Sequence, residues 1–411
     1  MKQAHPGYSI HRPEVDIQVL RYPVSRVGRF WAGVAAAAWL AAIAPDASAV
    51  TIHVGPGKSY KTVREAAEAA LPGDMVLIDA GIYSADVATW KADNVTVRGV
   101  GGRAHLRADG AQEGGKGIWV VRGRNFTAEN IEFSGASVPD KNGAGIRSET
   151  EGTLILRDCY FHDNEEGILG GADSMVIENC VFDRNGAGDG RTHNIYASGR
   201  SFTLKNSFVH RAVVGHNVKS RAKNNYILCN RITDETDGTA SYEIDVPDCG
   251  RTYIIGNVIE QGPKSENNTI ISYGAESATN AADLYVVNNT IVNNKESGGI
   301  FLQLREGAKA RVRNNIFYGP GTTWAGGTVT ADHNYVEAAT TNGAGFRGAA
   351  AYDFHPTSAS PASILDAGAP PGAALTGFDL TPKCEYVDEA RGHPRPESGP
   401  LDIGAFELQS K

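Results

Sequence analysis

Residues 215–222 read GHNVKSRA, placing a histidine, an asparagine, a lysine and an arginine around Val218. Residue types of this kind transfer protons, bind carboxylates or ligate cations. A comparable stretch, THNIYAS (192–198), lies before it, and another, SYEIDVP (241–247), lies after it. If Ile195, Val218 and Ile244 are the inward centres of three short strands, alternation turns their flanking residues outward. Two polar columns result: Asn194, Asn217 and Glu243, then Tyr196, Lys219 and Asp245, with Arg221 extending the second. Together they form a shallow groove of mixed charge, a suitable shape for a linear polysaccharide.

That set of side chains fits several chemistries. β-Elimination from a uronic acid needs the sugar carboxylate neutralised, a base for the adjacent proton and an acid for the leaving oxygen. Asn194, Asn217, Arg221 or a bound Ca²⁺ would neutralise; Lys219, His193 or His216 would abstract; Tyr196 would protonate the departing sugar. Glu243 and Asp245, at i and i+2 of a strand, have Cα atoms about 6.6 Å apart. Slight splaying brings their carboxyls into the roughly 6.5–9.5 Å range of inverting glycosidases. With Asn217 the same two residues offer oxygen ligands to Ca²⁺. Asp234, Glu235 and Asp237 of DETDG (234–238) would add a further carboxylate, although DETDG also reads as an ordinary turn. The plain alternative for Lys219 is a solvated ion pair with Asp245, worth under about 1 kcal/mol.

The histidines depend on register. Strict alternation turns His193 and His216 inward, in a column of rings with Tyr242. A strand that starts one residue later brings both to the groove edge, where an ordinary imidazole pKa of about 6.5 suits a general base.

Elements able to hold such columns are visible as repeats. NFTAENIEF, LILRDCYFHD, MVIENCVFDR, FTLKNSFVHR, NYILCNRITD, TYIIGNVIEQ, LYVVNNTIVN and ARVRNNIFYG align under one another. One column runs Asn130, Asp158, Asn179, Asn206, Cys229, Gly256, Asn288, Asn314; the next runs Ile131, Cys159, Cys180, Ser207, Asn230, Asn257, Asn289, Asn315. This is the pattern of a coil of short parallel strands, one turn per repeat, with turns about 4.8 Å apart. Asparagines at a bend then bond their amides along the stack. A second set of strands has aligned centres at Ile168, Ile195, Val218, Ile244, Ile271 and Phe301. Repeat counting gives about eight to ten turns.

The ends of such a stack need covering. SYKTVREAAEAA (59–70) has helical spacing and would cap the first turn. Together with GDMVLIDAGIY (73–83) and the closing RGHPRPESGPLDIGAFE (391–407), it resembles secreted pectate-lyase-like right-handed β-helix proteins. The resemblance implies an all-β, right-handed parallel β-helix, a single-stranded solenoid over 50–340 with an N-terminal capping helix and an irregular closing segment at 341–411. Polysaccharide lyases of this fold use a Lys or Arg base and often Ca²⁺, and Lys219 and Arg221 match those residue types. The acidic pairs of pectate lyases and the aspartate triad of polygalacturonase-like hydrolases are missing here.

Arg21, Arg26 and Arg29, the apolar run WAGVAAAAWLAAIA (31–44) and Ala47-Ser48-Ala49 read as an export signal over 1–49. The expected mature protein is therefore secreted or periplasmic, monomeric and not membrane-associated. A net charge of −8 argues against nucleic acid as a partner. Cys159 and Cys180 align in adjacent turns, as a disulfide or as stacked thiols; Cys229 and Cys249 flank DETDG and would tie it down. The leading expectation is a lyase acting on a uronate-containing polysaccharide. The alternatives are an inverting hydrolase and a non-catalytic carbohydrate-binding β-helix.

Overall fold

The computed structural model describes residues 49–277, 283–397 and 399–409; the segment read as an export signal lies outside them. From Thr51 to Glu337 the chain winds as a right-handed coil of parallel strands, forming three long ladders. In one coil, Phe126–Glu129 belongs to the first ladder, Ile131–Ser134 to the second and Ala144–Glu149 to the third. Each strand pairs with its counterpart one coil later, as Phe126↔Leu154, Phe133↔Phe161 and Ile146↔Ile168 illustrate. Glu166–Glu178 and Ile195–Lys205 run without a break from the third ladder into the first.

The bend between the first two ladders explains the first repeat column. Asn130, Asp158, Asn179, Asn206, Cys229, Asn288 and Asn314 all have φ between 50° and 58°. Asn and Asp tolerate this left-handed conformation better than other side chains, and Gly256, at φ 71°, meets it without a Cβ. The amide ladder belongs to the next column. Nδ2 of Asn230, Asn257, Asn289 and Asn315 donates to Oδ1 of Asn257, Asn289, Asn315 and Asn334 at 2.9–3.0 Å. Earlier coils fill that column with buried Cys159 and Cys180, which are free thiols.

Inside the coil, side chains stack on their own kind. Phe133, Phe161 and Phe182 lie face to face at 4.9 and 4.8 Å, matching the rung spacing. In the third ladder Ile168, Ile195, Val218, Ile244 and Ile271 are in register and buried. The next coil places Leu302, and not Phe301, opposite Ile271.

A helix, Val63–Ala69, covers the first coil with Val63, Ala66 and Ala67, and a Thr62/Glu65 capping box begins it. The segment after Glu337 packs along the flank of the coil. Phe346, Phe354, Ile364, Ile403 and Phe406 cover Val258, Val292, Ile316 and Tyr318. A disulfide joins Cys229 to Cys384, so Cys229 is tied to this flank and not to Cys249, which is a buried free thiol.

Candidate functional site

The site is built on the third ladder, where the register Tyr196↔Lys219↔Asp245 puts three functional groups on consecutive rungs. Val218 and Ile244 begin their strands and face the core, so the residue after each, Lys219 and Asp245, turns away from it. Both are nevertheless buried, and not solvated as the sequence pattern predicts. Lys219 Nζ lies 3.7 Å from Asp245 Oδ2 and 3.3 Å from Glu276 Oε1. It also stands over the Tyr196 ring, 5.4 Å from the centroid. Arg221 lies behind this row, its Nε donating to the Tyr196 hydroxyl at 2.7 Å. The Tyr196 oxygen is thus an acceptor toward Arg221, leaving its own O–H to donate elsewhere.

Asn194, Asn217 and Glu243 are not on this face, contrary to the expectation of an outward column. They precede their strands, in the turn that leads out of the second ladder, where the two-residue alternation does not hold. All three are fully buried and form a second internal ladder. Asn164 donates to Asn185, Asn185 to Asn194, Asn194 to Asn217 and Asn217 to Glu243, at 2.9, 2.8, 2.7 and 2.6 Å. Substrate cannot reach these amides without opening the stack. Glu243 and Asp245 therefore do not form a hydrolytic pair across one groove. The Ca²⁺ set of Asn217, Glu243 and Asp245 does not fit either, because the first two bond each other inside while Asp245 faces Lys219 outside.

Asp234 lies inside as well. Its carboxylate accepts from Ser265 Oγ at 2.7 Å and from Asn217 Nδ2 at 3.4 Å. Burial pushes Asp234 up to about 7 and Glu260 up to about 8. It holds Glu243 well above the usual carboxylate range, with the neighbouring Asp234 charge acting in the same direction. Glu235 is half-buried and paired with Arg231, and Asp237 is exposed.

The histidines form the column of rings with Tyr242, whose ring lies 4.8 Å from His216, and both are buried against the inner side of the groove residues. Their rings stack at 4.4 Å, His193 meets the Tyr196 ring edge-on at 5.3 Å, and His216 Nε2 lies 3.6 Å from Asp245 Oδ2. His193 Nδ1 accepts the backbone N–H of His216 at 3.0 Å, which leaves the His193 proton on Nε2. Burial drives His193 down to about 2 and His216 to about 3, reinforced by nearby cations, so both imidazoles are neutral. Burial also raises Asp245 to about 6, against the pull of Lys219.

Arg221 is less available than its sequence position implies. Its Nη1 donates to both Asp248 oxygens at 2.9 Å and its Nη2 to Glu276 Oε2 at 2.5 Å, besides the Tyr196 bond. Burial opposes its charge, but the bonds to Glu276, Tyr196 and Asp248 outweigh that and hold it protonated. The fork that would grip a substrate carboxylate is already filled. Asp248 and Glu276 are therefore site residues that the strand pattern does not reveal, since both lie in loops outside the repeat.

Toward the N-terminal end the row opens onto a cavity of about 540 Å³. Tyr196 and Leu169 form its floor, and Asp140, Lys141, Glu166 and Arg191 are among its walls. Glu166 is buried, and burial raises its pKa well above the carboxylate range although it accepts the His193 N–H at 2.9 Å. Asp140, Lys141 and Arg191 come from loops of unequal length, whose positions the repeat does not encode, whereas Glu166 begins a third-ladder strand.

Comparison with known proteins agrees with the coil. A family model described as a right handed beta helix region matches residues 80–207. Among solved structures, the chain is similar to pectate lyase Pel9A, with a TM-score of 0.56 and 14% identity over 88% of this chain and 96% of that one. It is also similar to an alginate lyase from Paenibacillus sp. str. FPU-7, with a TM-score of 0.46 and 13% identity over 70% and 99% of the two chains. A pectin methylesterase gives a TM-score of 0.34 and 11% identity over 71% and 90%. No curated protein matches the chain. The fold is a right-handed parallel β-helix. Identities this low speak for architecture, and architecture alone does not assign a reaction.

Proposed function

We propose that the chain binds a linear uronate-containing polysaccharide along the third ladder and cleaves it by β-elimination. The observation that carries this reading is the in-register row Tyr196, Lys219 and Asp245, open at one end to the 540 Å³ cavity. Lys219 pairs with the uronate carboxylate in exchange for Glu276, whose half-exposed side chain stays bonded to Arg221 through its other oxygen. Neutralising that carboxylate makes the adjacent C–H acidic enough to lose its proton. The neutral His216 accepts the proton, and Tyr196, held from behind by Arg221, returns one to the leaving glycosidic oxygen. Asp245 positions both Lys219 and His216. The similarity to Pel9A supports the choice of substrate class at the level of fold.

The experiment is a panel of alginate, polygalacturonate and other acidic glycans, with ultraviolet absorbance of unsaturated products and reducing-end release measured together. Unsaturated ends should appear with the native protein and fall at least about 100-fold in Lys219→Ala and in Tyr196→Phe. Reducing ends without unsaturation would replace elimination with hydrolysis. Undiminished elimination in Lys219→Ala would remove the site assigned here. A chelator control reads any dependence on Ca²⁺ directly.

A further inference from the structure

A different face of the coil carries a second cluster with no part in the groove. His105, Glu132 and His162 come from three consecutive strands of the second ladder, within Thr96–Arg107, Ile131–Ser134 and Tyr160–His162. His105 and Glu132 are direct register partners, and His162 sits opposite Ser134, two residues further on and so on the same face. His105 Nδ1 is 3.3 Å and His162 Nε2 is 3.2 Å from the same oxygen, Glu132 Oε1. The three ligand atoms all lie within 4.8 Å of one another, and the side chains are about a fifth exposed.

Two features distinguish this cluster from a surface ion pair. The first is the second nitrogen of each ring. His105 Nε2 is bonded to Ser134 Oγ at 2.7 Å, and His162 Nδ1 to Asp163 Oδ2 at 2.6 Å. Arg184 in turn bonds Asp163 at 3.1 Å, and the Tyr160 ring stacks on His162 at 4.4 Å. Metal-binding imidazoles are oriented in this way, through a carboxylate or hydroxyl on the nitrogen that does not face the metal. The second feature is spacing. Charge-assisted N–H···O bonds run at about 2.7–2.9 Å, shorter than either contact to Glu132. A tetrahedral ion with bonds of about 2.0–2.1 Å separates its ligands by about 3.3–3.4 Å, close to both.

We propose that His105 Nδ1, Glu132 Oε1 and His162 Nε2 form a binding site for a divalent cation of the zinc class. Two imidazoles and one carboxylate suit zinc and its first-row neighbours better than Ca²⁺, which prefers oxygen. The partial exposure of the cluster leaves the fourth position to water. Occupancy would clamp three successive coils along this outer face. It would stabilise the folded coil by mass action in proportion to free ion.

The test is calorimetric titration of the purified, chelator-washed full-length protein with Zn²⁺. Co²⁺ absorption in the visible serves as an independent reporter of four-coordinate geometry. One equivalent should bind, Tm should rise with added Zn²⁺, and His162→Ala should abolish both while leaving the metal-free Tm close to native. His105→Gln serves as the second ligand variant should His162→Ala misfold. Asp163→Asn keeps the three ligands and should weaken binding by about tenfold through loss of orientation. Absence of Zn²⁺ binding, or equal binding in native protein and both ligand variants, would overturn the site.

Discussion

The coil contains two internal amide ladders that differ in how they end. The ladder from Asn230 to Asn334 consists only of asparagines, each giving an N–H to the next carbonyl and taking one from the previous rung. Nothing in it titrates. The ladder from Asn164 to Asn217 ends on Glu243, with Asp234 and Glu260 close behind. It lies directly beneath the strand that carries Lys219. The first holds a bend in shape; the second holds a bend and ties the floor of the groove to buried acids. The same residue type in the same stacking motif thus gives one inert spine and one pH-sensitive support.

Breaking each ladder at one rung separates these roles. Asn257→Ala removes four buried hydrogen bonds, those to Asn230 N and Nδ2, Ile227 O and Asn289 Oδ1, so it should cost about 3–5 kcal/mol in chemical denaturation. Any enzymatic turnover should survive wherever the variant remains folded. Asn217→Ala also removes four buried hydrogen bonds and should cost a similar amount of stability, about 3–5 kcal/mol, but depress turnover more strongly, because the strand start that aims Lys219 is lost. Equal effects on turnover from both variants would erase the distinction between the ladders.

The acid end can be tested through pH. Glu260 and Asp234 have folded pKa values of about 8 and about 7, above those of the unfolded chain. Their contribution to stability is therefore complete below about pH 4 and is lost as pH rises through 7 to 8. Tm measured across that window should fall with pH, and Glu260→Gln should flatten the decline. Asp245→Asn is read in the pH profile of turnover. Asp245 ionises near pH 6, so turnover should drop as pH falls through 6 in the native protein, and this limb should disappear in the variant.

The parallel coil was legible because a bend repeated on every turn demands a residue that accepts positive φ, and Asn130 through Asn314 supply it. The register Tyr196–Lys219–Asp245 was legible for a similar reason: an unbroken aliphatic column fixes its neighbours. Asn194, Asn217 and Glu243 were misplaced because they stand one residue outside the strands, where a turn sets direction. The ring column of His193, His216 and Tyr242 was legible from alternation, while the contacts of its histidines with Tyr196 and Asp245 were not. Glu276, Asp248 and the Cys384 partner of Cys229 lie in loops or on the flank, outside any repeat that could have announced them.

The bond between Cys229 and Cys384 closes a covalent circle through 155 positions of sequence, taking in the later coils and much of the flank. A protease that severed any single peptide inside that circle would release no fragment. The nicked molecule would migrate as one species until a reductant divided it, and an oxidising milieu would let the stack tolerate wounds that an open solenoid could not.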